Sequence, residues 1–163
     1  MKRFSCVMMA LAFICLVSGS AFATTLTHAK AKVEITVPDT WKSAQDGDVM
    51  TLSAPDDSMS VVFMIMDSAA ADKAFESIDK DLEKNLGPIT WANDGKAIDE
   101  KINDMPTSEW NGKTKDGKMM VDCLSIDTPS DKALGVYWFS TEESEKKYEA
   151  DIATIVKGLK PLK

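Results

Sequence analysis

The apolar residues of this chain keep two different rhythms, and the points where one gives way to the other limit the folds open to it. Over much of the sequence they alternate with polar residues. Val33, Ile35 and Val37 stand against Lys32, Glu34 and Thr36, the period-2 signature of a half-buried strand. In two segments the period lengthens to that of a helix. Within residues 69–86, Ala71, Phe75, Ile78, Leu82 and Leu86 fall at spacings of 4, 3, 4 and 4, with Asp72, Glu76, Asp79, Lys80 and Glu83 on the other face. Within residues 141–158 and just beyond, Tyr148, Ile152, Ile155 and Leu159 repeat at 4, 3 and 4. Ser68 suits the N-cap of the first helix and Gly87-Pro88 its stop. Ser140 with Glu143 reads as a capping box for the second, and Pro161 follows its end.

The remaining segments read as strands joined by tight turns. "VMTLS" (49–53) and "MSVVFMIMD" (59–67) flank the polar turn "APDDS" and make a hairpin. "ITWAN", "KAIDEKIN", "TSEWN", "KMMVDCLSID" and "ALGVYWFS" follow, with Asn111-Gly112 and Asp116-Gly117 as competing hairpin signals. The last of these is apolar on both faces, as a central strand covered on both sides should be. The fold class is therefore α+β: an antiparallel β-sheet flanked by two amphipathic helices, since each helix has one apolar face to bury against it.

The domain expectation is residues 1–23 as a signal peptide, 24–31 as a flexible leader and 32–163 as a single α+β domain. Lys2 and Arg3, the apolar run Phe4 to Val17 and the small residues ending at Ala21-Phe22-Ala23 have the form of a secretory signal with an Ala-x-Ala cleavage site. The run is shorter than the roughly 20 residues a bilayer span needs. The protein is thus expected to be exported, with the periplasm as the first choice and the extracellular space as the second. Cleavage would leave Cys123 as the one cysteine, without an intramolecular partner, in a segment whose pattern suggests a buried and inert thiol.

Without Lys2 and Arg3 there remain 17 basic residues against 26 acidic ones, a net charge of −9. Such a surface disfavours nucleic acid and anionic membranes as partners. Arg3 is the sole arginine, so the mature chain has no planar fork for bidentate anion recognition.

A first strand ending in Pro-x-x-Trp ("VEITVPDTWK"), a hairpin turning at "SAPDDS", an apolar strand, one long helix, a meander of hairpins and a closing helix resemble the Mog1/PsbP-like α/β/α sandwich proteins, over roughly Lys32 to Leu162. Known members include a nuclear import factor, extrinsic proteins of the photosynthetic oxygen-evolving complex and exported bacterial proteins without an assigned activity. The resemblance implies a non-enzymatic binding or assembly module and carries over no catalytic residues.

The residues themselves agree with that. His28, the single histidine, lies in the leader, which removes Ser-His and Cys-His nucleophiles from the folded body and leaves most transition-metal sites without their commonest ligand. No catalytic, cofactor-binding or metal-binding residue is assigned, and no cofactor is expected. Asp46 with Asp48, Asp56-Asp57, Asp79 with Asp81 and Glu83, and Glu142-Glu143 with Glu145 lack calcium-loop spacing and read as solvated faces or helix-terminus charge. Met64 and Met66 share a strand face and read as packing residues. Of the four tryptophans, Trp138 reads as core, while Trp110 and Trp41 are the candidate anchors for a partner, with packing over a sheet end as their commoner role. The expected function is an exported non-enzymatic module for an unknown protein or small ligand, of unspecified oligomeric state. The alternative is a metal-handling protein with a carboxylate site for calcium or manganese or a methionine site for copper(I).

Overall fold

A computed structural model describes residues 23–162. The signal-peptide expectation lies outside these residues except for Ala23. β1 (Ala23–His28) and β2 (Val33–Pro38) pair antiparallel, with Thr24 opposite Val37 and His28 opposite Val33. This corrects the flexible leader: residues 24–28 are a strand. Three threonines favour extended backbone while hiding the alternation, and burial rises along one face from exposed Thr24 through Leu26 to His28.

β3 (Lys42–Asp46), whose five residues are all polar or small, is a wholly exposed edge strand held by its ladder to β4 (Val49–Ser53). β4 and β5 (Ser60–Asp67) form the expected hairpin, Leu52 opposite Val61 and Met50 opposite Phe63. Ser68 does not cap the helix that follows. It opens a 3-10 turn (Ser68–Ala70) leading into α1 (Ala71–Leu86), which ends at Gly87 with φ +85°. β6 (Ile89–Trp91), β7 (Ile98–Ile102) and β8 (Met105–Thr114) come next.

Asn111-Gly112 lies inside β8, not in a turn. The tight turn from β7 to β8 is Asn103-Asp104, both at positive φ (47° and 69°), with Ile102 opposite Met105. Asp116-Gly117 does turn the chain into β9 (Met120–Asp127). β10 (Lys132–Ser140) runs between β9 and β5, the central position its two apolar faces demand. α2 (Glu142–Lys157) is capped by Thr141 and Ser144 rather than by Ser140 and Glu143, and the Ser140 hydroxyl donates instead to Glu145 (2.6 Å). β11 (Lys160–Pro161) closes on β2.

All pairings are antiparallel. The large sheet runs β3-β4-β5-β10-β9-β8, with β6 and β7 at the two ends of the long β8, and a second sheet has the order β1-β2-β11. One face of the large sheet (Leu52, Val61, Phe63, Leu124, Ile126, Leu134, Val136) packs with α2 (Tyr148, Ile152, Ile155) and with Val33, Ile35 and Val37 of the small sheet to form the main core. α1 covers the opposite face, where Leu82 meets Val121 and Cys123 with Phe75, Ile78, Tyr137 and Phe139 around them. Among the described residues no helix is long and apolar enough to cross a membrane.

Candidate binding site

The two faces of the large sheet are filled differently. Val121 and Cys123 on β9 are apolar and lie under α1, but the next residues on that face are Ser125 and Asp127. Strand register sets Ser125 between Ser108 of β8 and Gly135 of β10, so three adjacent strands present small residues in one row. A helix resting on large side chains at one end and small ones at the other leaves a gap. The resulting cleft has a volume of about 580 Å³ between α1 and the sheet.

Its walls are aromatic. Trp110 stacks at a tilt on Phe75, ring centres 5.6 Å apart. Trp91 stands on the sheet because residue 112 has no side chain: a Cβ there would lie 2.8 Å from the indole Cε3 and 2.9 Å from Ile89 Cγ2. Gly112, a hairpin signal in the sequence, therefore works as a seat for a ring inside a strand. Gly135 plays a similar part for Met66, whose Cε would meet an added Cβ at 2.7 Å.

The polar lining is one-signed. Asp79, Glu76 and Asp127 border the cleft, with Ser68, Ser108 and Ser125, and no lysine is among its described lining residues. Asp79 Oδ1 is shielded from solvent and has no hydrogen-bond partner among the described residues. Burial raises the Asp79 carboxyl above the usual carboxylate range, Glu83 adds to the rise and the Trp91 indole partly offsets it. Cys123, 5% exposed, lies on the floor. Burial, with Asp122 and Asp79 adding, pushes its thiol up to about 12, so it stays protonated and is no nucleophile near neutral pH.

Of the two candidate anchors, only Trp110 borders the cleft. Trp41 takes the packing role instead and is a core residue, 6% exposed: its ring meets Tyr148 edge-on at 5.6 Å and its indole N–H donates to Asp151 (2.8 Å). The Trp41 backbone N–H donates to the Pro38 carbonyl (2.9 Å), closing the turn that follows β2. The acid groups of the sequence disperse: Asp48 pairs with Lys30, Asp57 with Lys42 and Asp56 with Lys147. Among the described residues no three His, Cys, Asp or Glu side chains stand together as metal ligands. Met50, Met59 and Met105 belong to the main core, whereas Met66 is buried on the opposite face, under Phe75.

Asp79, Ser108 and Ser125 escaped the sequence reading. Its charge groups Asp79 with the solvated face, yet it follows Phe75 by four residues and precedes Leu82 by three, which puts it on the flank of the apolar stripe. That spacing, and the change from apolar to small polar along one face of "VDCLSID", were the available signals.

No protein-family model and no curated protein matches the sequence. Solved structures do. The cyanobacterial PsbP protein CyanoP of Synechocystis sp. PCC 6803 superposes with a TM-score of 0.61 at 12% identity, over 89% of this chain and 95% of that one. The fold is of the Mog1/PsbP-like type. LpqN of Mycobacterium tuberculosis, a protein involved in cell envelope biogenesis, shares this PsbP-like fold with a TM-score of 0.58 at 16% identity, over 85% of this chain and 90% of that one. A Bacteroides thetaiotaomicron protein matches with a TM-score of 0.51 at 17% identity; 85% of this chain is covered but only 48% of that longer one. At such identities the likeness to PsbP-like proteins is one of fold and transfers no residue roles.

Proposed function

We propose that this PsbP-like protein is an exported, non-enzymatic module that holds a small ligand in the cleft between α1 and the large sheet. The observation that carries the reading is the cleft itself: at about 580 Å³ it falls in the usual range for ligand sites, roughly 300–1,000 Å³, and its aromatic walls with a few convergent polar groups are the usual lining. Export is supported by the signal-like residues 1–23, and the periplasm is the proposed compartment. A non-catalytic role is supported by the protonated Cys123 thiol and by the absence of a histidine from the lining residues.

The test uses N-phenyl-1-naphthylamine, a neutral apolar fluorophore, with the mature chain. Saturable 1:1 enhancement is expected. Ser125→Phe fills the floor and should weaken binding at least tenfold with the far-ultraviolet dichroism unchanged; Trp110→Ala, which removes a wall, should do likewise. Unchanged binding by a folded Ser125→Phe variant, or no saturable binding by the wild type, would overturn the proposal.

A further inference from the structure

β3 is a free edge of the large sheet: it pairs with β4 and, among the described residues, with nothing on its other side. Every residue in it is exposed, and its ladder to β4 runs without a bulge or a proline. Such an edge is a template for a further strand. The Ile65 N–H donates to the Asp48 carbonyl (3.0 Å), so Asp48 directs its backbone groups at β5 and Val49 directs its own at β3. Val49 stands opposite Asp46 across the turn Gly47-Asp48. By the same alternation Lys42, Ala44 and Asp46 turn their N–H and C=O groups toward β4, while those of Ser43 and Gln45 point outward, unpaired.

The charges along this edge complement themselves. Lys42, Ala44 and Asp46 share one face of the strand, with the ammonium at one end and the carboxylate at the other. We propose that β3 pairs antiparallel with β3 of a second copy of this chain, about a two-fold axis at Ala44. Ser43 then exchanges both backbone hydrogen bonds with Gln45 of the second copy, and Lys42 stands opposite its Asp46 in one of the closer, non-hydrogen-bonded pairs. Lys42 already donates to both oxygens of Asp57 (2.9 and 3.0 Å), which leaves its third ammonium proton for the second copy. Registers centred on Ser43 or Gln45 lose both charge pairs. β7, another edge strand, has the same backbone alternation but is centred on Glu100, so self-pairing there would set two carboxylates face to face. An edge of five residues is far short of the roughly 20–30 a side of a standard interface, so the dimer is transient, with a Kd on the order of 100 µM.

No residue of β3 lines the cleft, so this contact is tested apart from ligand binding. Sedimentation velocity of the mature chain, from about 10 µM to about 1 mM, should show a monomer–dimer equilibrium. Ser43→Pro removes an outward N–H without touching the ladder to β4 and should leave a monomer throughout, with Tm unchanged. Lys42→Asp and Asp46→Lys should each weaken self-association at least tenfold. An equimolar mixture of those two variants should regain it, because one then presents two acids where the other presents two lysines. A wild type that stays monomeric overturns the proposal. So does a dimer that survives Ser43→Pro, which would mean that another surface joins the copies, or a mixture that associates no better than its components.

Discussion

His28 is 1% exposed, and neither of its ring nitrogens has a hydrogen-bond partner among the described residues. Burial lowers its pKa below the usual 6.5 and outweighs the attraction of Asp48, with Lys30 adding a small further lowering. The folded state thus holds this imidazole neutral. As pH falls below about 6.5 the unfolded chain takes up a proton that the folded chain refuses, so stability is full above that pH and declines toward the lowered folded value. Asp122 acts in the opposite sense. Burial, with Glu145 and Glu109, raises it to about 6 against the donation from Asn111, so its contribution is full below its ordinary value of 3.8 and fades as pH rises through about 6. His28→Leu isolates the first effect. Urea melts should show the loss of stability between pH 6.5 and 5 abolished, and a gain of about 1–3 kcal/mol at pH 7 from removing two orphaned nitrogens. An unchanged acid slope would mean that another group titrates there.

At the scale of elements, turn chemistry decides which segments meet. Asn103 holds a positive φ in the two-residue turn between β7 and β8, and its side-chain amide donates to the carbonyls of Lys157 (2.8 Å) and Leu159 (2.7 Å) at the end of α2. One residue thereby shapes a hairpin and satisfies the last carbonyl of a helix, and one just beyond it, more than fifty residues away in sequence. Asn103→Ala should cost about 1–3 kcal/mol in chemical denaturation, and Asn103→Gly, which keeps the turn but not the amide, should recover part of it. Gly112→Ala would drive a methyl into the rigid Trp91 ring and should cost about 1–3 kcal/mol, with a shift in tryptophan emission as that ring moves; unchanged stability and emission would show that β6 yields freely. Both helices, the β4–β5 hairpin and the central place of β10 were legible because each has an apolar period of its own. The capping residues, the seat of Trp91 and the identity of the β7–β8 turn were not. Asn-Gly is the stronger hairpin signal in isolation, but here the ladder of β8 to β6 and β9 runs straight through it.

For the molecule as a whole, the first and last strands lie on either side of β2, and the Leu162 N–H donates to the Lys32 carbonyl (2.7 Å). Residues 24–30 are therefore part of the folded domain. Deleting them should strip one edge of β2 and expose surface now under Leu26 and His28, lowering Tm by on the order of 5 °C or more; a leader without structure would leave Tm unaltered. The sequence alone determined the α+β class, the number and faces of the helices, the antiparallel meander and the buried character of Cys123, because periodicity and burial of apolar surface are local and additive along the chain. Tertiary structure decided what no local pattern contains. Register across β8, β9 and β10 brought Ser108, Ser125 and Gly135 into one row, α1 lay over that row without filling it, and Asp79 came to face the gap. Trp41 and Trp110 look alike in sequence, each beside a turn. The packing of α2 buries the first, and the gap beneath α1 leaves the second at the mouth of the cleft.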